Sequence, residues 1–133
     1  MGHQATGTRV LKSWDEKDFT EADGRKLTSS AISYSYTGDI EGDGVQQYVM
    51  FYRSEESTTF VGLEQIVGRV GGRSGSFALQ HTGELTGEAA EVTWSVVPGS
   101  GTGELAGLTG TGGFTAMHEE AGNATYRLDY TVE

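Results

Sequence analysis

Two ionisable residues stand on faces that are otherwise apolar. In TFVGLEQIVG, Thr59–Gly68, strand alternation puts Glu64 on the face of Phe60 and Ile66. In SFALQH, Ser76–His81, it puts His81 with Phe77 and Leu79. A carboxylate and an imidazole turned into an apolar interior are costly to charge. Burial alone raises the pKa of Glu64 and lowers that of His81, and a carboxyl group raised toward neutrality suits general acid–base catalysis. Glu64 and His81 are therefore the candidate catalytic residues, one as acid or base and the other as its proton partner. The competing reading is structural, with Glu64 paired to Arg69 or Arg73 and His81 a hydrogen-bonded core residue. Tyr34, Tyr36, Tyr48, Tyr52, Phe77, Trp94 and Tyr126 offer aromatic walls and hydroxyl donors for a substrate, and equally ordinary interior filling.

Other chemistries lack their residues. There are no cysteines, hence no thiol nucleophile, thiolate metal site or disulfide. His3, His81 and His118 stand apart, without the close spacing that preforms a metal site, and His118 before Glu119 and Glu120 reads as a solvated strand end. DIEGDG, Asp39–Gly44, begins like a calcium loop, but the twelfth position is Met50 instead of a bidentate Glu, so it reads as an acidic hairpin turn. No Gly-x-Ser-x-Gly elbow occurs. Trp94–Phe114 holds seven glycines but no lysine, and LTGTGGFTAM within it reads as a strand, so a phosphate cradle is excluded in favour of a Gly-rich corner. No metal and no cofactor are expected.

These residues must be positioned by strands. Glycines punctuate short runs of Val, Tyr, Phe, Thr and Trp, the pattern of many strands joined by tight turns. Eight are expected: Ala5–Trp14, Leu27–Thr37, Val45–Arg53, Thr58–Val70, Gly75–Leu85, Ala90–Val97, Thr109–His118 and Ala124–Val132. Asp15–Lys26 reads as a polar connection. No helical crossover fits between the strands, so they pair antiparallel, and closing the sheet removes its exposed edges. The expectation is one all-β domain over residues 1–133, an eight-stranded antiparallel barrel with little or no helix. Inward Gly62 and Ala90 hint at a cavity. Val45–Tyr52 is apolar on both faces beyond Tyr48, which suggests that its outer face is covered by a neighbouring chain of a homo-oligomer, or by a loop.

The net charge of −10 repels phosphate backbones and anionic bilayers, so nucleic acid and membranes are not expected partners. The first twelve residues contain no apolar run, and the default location is cytoplasmic.

Four blocks carry a resemblance: YTGDIEGDG (Tyr36–Gly44), FVGLEQIVGRVGGRSGSFALQHTGEL (Phe60–Leu85), TWSVVPGSGTGELAGLTGTGGF (Thr93–Phe114) and YRLDYTV (Tyr126–Val132). On these the chain resembles a small bacterial family known only as a domain of unknown function, over essentially its whole length. The resemblance implies a barrel similar to allene oxide cyclase, and more distantly to dirigent proteins and polyketide cyclases. It further implies a hydrophobic small molecule in the lumen and a cyclase or isomerase needing no cofactor, although no catalytic residue of that enzyme maps onto this chain. A non-catalytic binding barrel of lipocalin-like use, or a structural protein with a packed lumen, are the alternatives.

Overall fold

The computed structural model describes residues 2–54, 57–86, 89–117 and 123–132. Eight strands follow one another: β1 (His3–Ala22), β2 (Arg25–Gly38), β3 (Ile40–Ser54), β4 (Ser57–Val70), β5 (Arg73–Leu85), β6 (Ala89–Val96), β7 (Leu108–Met117) and β8 (Ala124–Val132). A short 3₁₀ turn, Gly103–Leu105, lies between β6 and β7. Each strand pairs antiparallel with its neighbour in sequence, and β1 pairs with β8 from His3↔Tyr130 to Arg9↔Ala124, which closes the barrel. The last expected strand position before β8, His118, lies outside the described residues.

The pleat sorts side chains as the alternation requires. β4 buries Phe60, Glu64 and Ile66 while Val61, Gln65 and Val67 face out. β8 buries Tyr126 and Leu128 and exposes Arg127 and Asp129.

Asp15–Lys26 is not a connection. The only turn in it is Asp23-Gly24, with φ of 53° and 78°, the pair of left-handed residues that a type I′ hairpin requires and that Asp-Gly supplies. On either side the chain is strand, paired as far as Ala22↔Arg25. Past Arg9, β1 no longer pairs with β8, so this ribbon stands beyond the barrel wall and is wetted on both faces. A strand without a dry face has no alternation to betray it.

The Gly-rich stretch forms the closed end of the barrel. β6 pairs only with Leu79–Leu85 of β5, which leaves the edge of Arg73–Ala78 bare. The connection after β6 covers it: Val97 and Thr102 donate backbone N–H groups to Ala78 and Ser76, and the Ser100 and Thr102 hydroxyls accept from the same two residues. A Cβ on Gly75 or Gly101 would overlap backbone carbonyl oxygens, so close approach explains the glycines there. Leu105, fully buried, plugs this end beside Ile40, Val70, Phe77, Leu79, Leu108 and Leu128.

The outer face of β3 and β4 carries Val45, Val49, Phe51, Val61, Leu63 and Val67, all exposed, with Val45, Leu63 and Val67 more than half so. Among the described residues no helix is long and apolar enough to cross a membrane.

Candidate functional site

A buried polar cluster sits midway along the lumen, between the apolar plug and the open end. Its centre is the Glu64 carboxylate on β4. From β5, His81 places Nε2 2.9 Å from Glu64 Oε1. From β2, the Tyr36 hydroxyl lies 2.9 and 2.8 Å from the two carboxylate oxygens. From β1, Arg9 Nη2 lies 3.5 Å from both. Arg9 is tied further by Nε to the Tyr36 hydroxyl at 3.1 Å and by Nη2 to Gln46 Oε1 at 2.8 Å. The Tyr48 hydroxyl completes the chain, 2.6 Å from His81 Nδ1. Arg9, Gln46, Glu64 and His81 are all buried, and among the described residues no buried side-chain nitrogen or oxygen lacks a partner.

The backbone makes room for this. Gly44 on β3 stands where a Cβ would overlap Oε2 of Glu64 and press on the Tyr36 ring. Gly62 does the same for Tyr48, whose ring lies against it. The cavity hinted at by Gly62 is thus filled by tyrosine, while Ala90 does border open space.

The protonation states follow from the neighbours. Burial pushes the Glu64 carboxyl upward, but the His81 hydrogen bond, the Arg9 charge and the Tyr36 hydroxyl outweigh it and hold the group below its ordinary value of 4.5. The expected rise in this pKa is therefore reversed, because alternation within one strand does not reveal the donors that other strands bring. An ionised Glu64 only accepts, so His81 Nε2 carries the hydrogen. Burial lowers the His81 pKa, more than the contacts with Glu64 raise it, and keeps the ring neutral near pH 7. Nδ1 is then the acceptor, and Tyr48 donates to it. Burial raises the Tyr48 and Tyr36 hydroxyls above 10, so both retain their protons. Burial alone would lower the pKa of Arg9, but Tyr36 and Glu64 raise it, and the guanidinium stays charged.

Above the cluster a cavity of about 280 Å³ opens toward the β1–β2 hairpin. Its walls are Ile32, Met50, Phe60 and Val92, with Leu11, Trp14, Leu85, Ala90 and Met117 nearer the exit. Arg9, Tyr34, Tyr48 and Phe114 form its floor. The Arg9 guanidinium is sandwiched there, 3.6 Å from the Tyr34 ring centre and 4.1 Å from that of Phe114. Its hydrogen bonds leave from Nε and Nη2; among the described residues, none leaves from Nη1 and none involves the Tyr34 hydroxyl, and since no fully enclosed polar atom lacks a partner, these two atoms face the cavity. Two donors are thus free at the bottom of an apolar pocket. A larger depression, about 880 Å³, lies on the outer wall among residues such as Thr82, Thr93, Glu91 and Arg127. It is open to solvent and is not lined by Arg9, Glu64 or His81, so the lumen is the better candidate.

The expected site residues divide accordingly. Tyr34 and Tyr48 line the cavity. Glu64 and His81 meet each other, but beneath the floor and not on the wall. Trp94 packs edge-on against His81, with ring centres 5.3 Å apart, and donates Nε1–H to the Arg127 carbonyl. Tyr126 sits lower, its hydroxyl accepting from Ile40 N and donating to the Thr37 carbonyl, and burial lifts its pKa to about 12. Phe77 belongs to the plug. Tyr52 stands at the rim, its hydroxyl 2.5 Å from Glu16, which also accepts from Thr28. Glu64 pairs with Arg9, not with Arg69 or Arg73, which are exposed on β4 and β5. Arg9 and Gln46 went unread, although the pleat that turns Ala5 and Leu11 inward turns Arg9 inward with them. Among the described residues no three His, Asp or Glu side chains converge as a metal site would need. Asp39, at the calcium-like stretch, accepts from Thr6 N in the β2–β3 corner.

An eight-stranded antiparallel barrel is what the resemblance of the sequence blocks implies. The model of a family described as a protein of unknown function, DUF3224, matches residues 5–130. The chain belongs to the DUF3224 family. A crystal structure of another DUF3224 protein of unknown function, from Shewanella oneidensis MR-1, is 30% identical to it. That similarity covers 100% of this chain and 99% of the other, with a TM-score of 0.84. No curated protein matches this DUF3224 chain significantly.

Proposed function

We propose that the lumen binds a small, largely apolar molecule whose one oxygen-bearing end meets Arg9 and Tyr34. The observation that carries this reading is the pair of unengaged donors, Arg9 Nη1 and Tyr34 Oη, at the floor of an otherwise apolar cavity of about 280 Å³. Small-molecule pockets combine apolar walls with a few placed polar groups, and this volume is just under the usual range of ~300–1,000 Å³. The oxygen is a neutral carbonyl rather than a carboxylate. Arg9 is already balanced by Glu64, so a carboxylate would leave an unpaired buried charge. The net charge of −10 disfavours an anion as well.

β-Tetralone, a compact bicyclic ketone, is a suitable probe. Trp14 borders the cavity, so binding quenches or shifts its fluorescence. A saturable titration is expected, weakened about 2–10-fold by Tyr34→Phe, the worth of one neutral hydrogen bond. A response that is linear in tetralone, or unchanged by Tyr34→Phe, would count against the lumenal reading.

A further inference from the structure

We propose that Tyr48, His81 and Glu64 form a proton relay that isomerises a carbonyl compound held in the cavity, with Tyr48 as the catalytic residue. The inference rests on the lumenal binding proposed above. Of the three, only Tyr48 borders the cavity. Its hydroxyl hydrogen points at His81 Nδ1, 2.6 Å away, and His81 Nε2 is held by Glu64 at 2.9 Å. The order is that of a nucleophile–histidine–carboxylate triad, in which a carboxylate fixes the tautomer and stabilises the imidazolium that forms. Here the outermost group is a phenol, and a phenol beside a pocket suits proton transfer.

The step balances without any co-reactant. The Tyr48 oxygen takes a hydrogen, as a proton, from the carbon next to the carbonyl group. The C–H electron pair becomes the C=C bond of an enolate, and the charge moves to the oxygen, which Arg9 Nη1 and Tyr34 Oη stabilise. The phenolic proton passes to His81 Nδ1, and the imidazolium is neutralised by Glu64. In return, Nδ1 gives its proton back to the phenol oxygen, which releases one to a different carbon of the conjugated skeleton. A double bond has moved and the relay is restored. At rest His81 is neutral and Tyr48 protonated, the states the cycle needs.

The test follows the loss of the α-hydrogens of β-tetralone in D₂O by proton NMR. Wild-type protein is expected to accelerate exchange. Tyr48→Phe and His81→Gln should each lower the acceleration at least about 100-fold, the size of a general acid–base contribution. The Tyr48→Phe protein should still broaden the tetralone resonances, and an unchanged melting curve checks that it is folded. Naphthalene, of similar shape without the oxygen, should suppress exchange by wild type, a readout that needs no variant. If tetralone binds to wild type but exchanges no faster than with Tyr48→Phe, or exchange is untouched by naphthalene, the relay is overturned and the pocket stands. If tetralone does not bind wild type, pocket and relay fall together.

Discussion

Arg9 and Glu64, 55 positions apart in sequence, meet at 3.5 Å in the middle of the barrel with neither side chain exposed. Both side chains are withdrawn from bulk solvent, so each charge depends on the other and on Tyr36, Gln46 and His81. Arg9→Met should therefore destabilise by about 3–5 kcal/mol, because it strands a buried carboxylate. The double variant Arg9→Met/Glu64→Gln should recover a large part of that loss. Denaturant unfolding of both single variants and the double variant measures the coupling. Strictly additive effects would mean that the two do not interact.

Acid should weaken the fold in two stages. The His81 pKa is lowered in the folded chain, so below its ordinary value of 6.5 the unfolded chain binds more protons and stability falls with pH. Glu64 is lowered too, and adds its share below 4.5. Each group contributes a slope of at most about 1.4 kcal/mol per pH unit. Unfolding midpoints should drop between pH 7 and pH 5, and His81→Gln should flatten that limb. A midpoint that rises on acidification to pH 5 would show that His81 protonates readily inside the barrel.

Gly44 is required by its neighbour and not by its backbone angles. A methyl group there would occupy the place of Glu64 Oε2. Gly44→Ala should cost about 1–3 kcal/mol, as overpacking does. It should also disturb the signals of His81 in a proton–nitrogen spectrum, since the carboxylate that orients the ring has to move. An unchanged His81 spectrum would place the strain elsewhere.

Ala90 borders the cavity near its exit and is only partly buried. Ala90→Phe should fill part of the open space with little change in melting temperature. It should also abolish saturable tetralone binding as read by Trp14 fluorescence. Retained affinity would direct attention to the outer wall.

Much of the fold was legible because period-two patterning survives wherever one face is dry. Glu64 and His81 could be placed inward from β4 and β5 alone, since Phe60, Ile66, Phe77 and Leu79 fix the register around them. The polar ribbon Asp15–Ala22 was not legible, because a strand wetted on both faces carries no such pattern; its one signal was Asp23-Gly24. Partners were harder still. Alternation says that Glu64 points inward, but not that β1 and β2 bring Arg9 and Tyr36 to it, since that depends on the closure between β1 and β8. The division of the lumen into plug, polar floor and cavity depends likewise on height along the barrel, which the staggered register sets.

The most direct test of the account is a crystal structure of the protein soaked with β-tetralone. The account predicts the ketone inside the barrel, its oxygen within hydrogen-bonding distance of Arg9 Nη1 and Tyr34 Oη and its rings against Phe60 and Phe114. An empty lumen, with tetralone instead on the exposed Val45–Val67 face of β3 and β4, would contradict it.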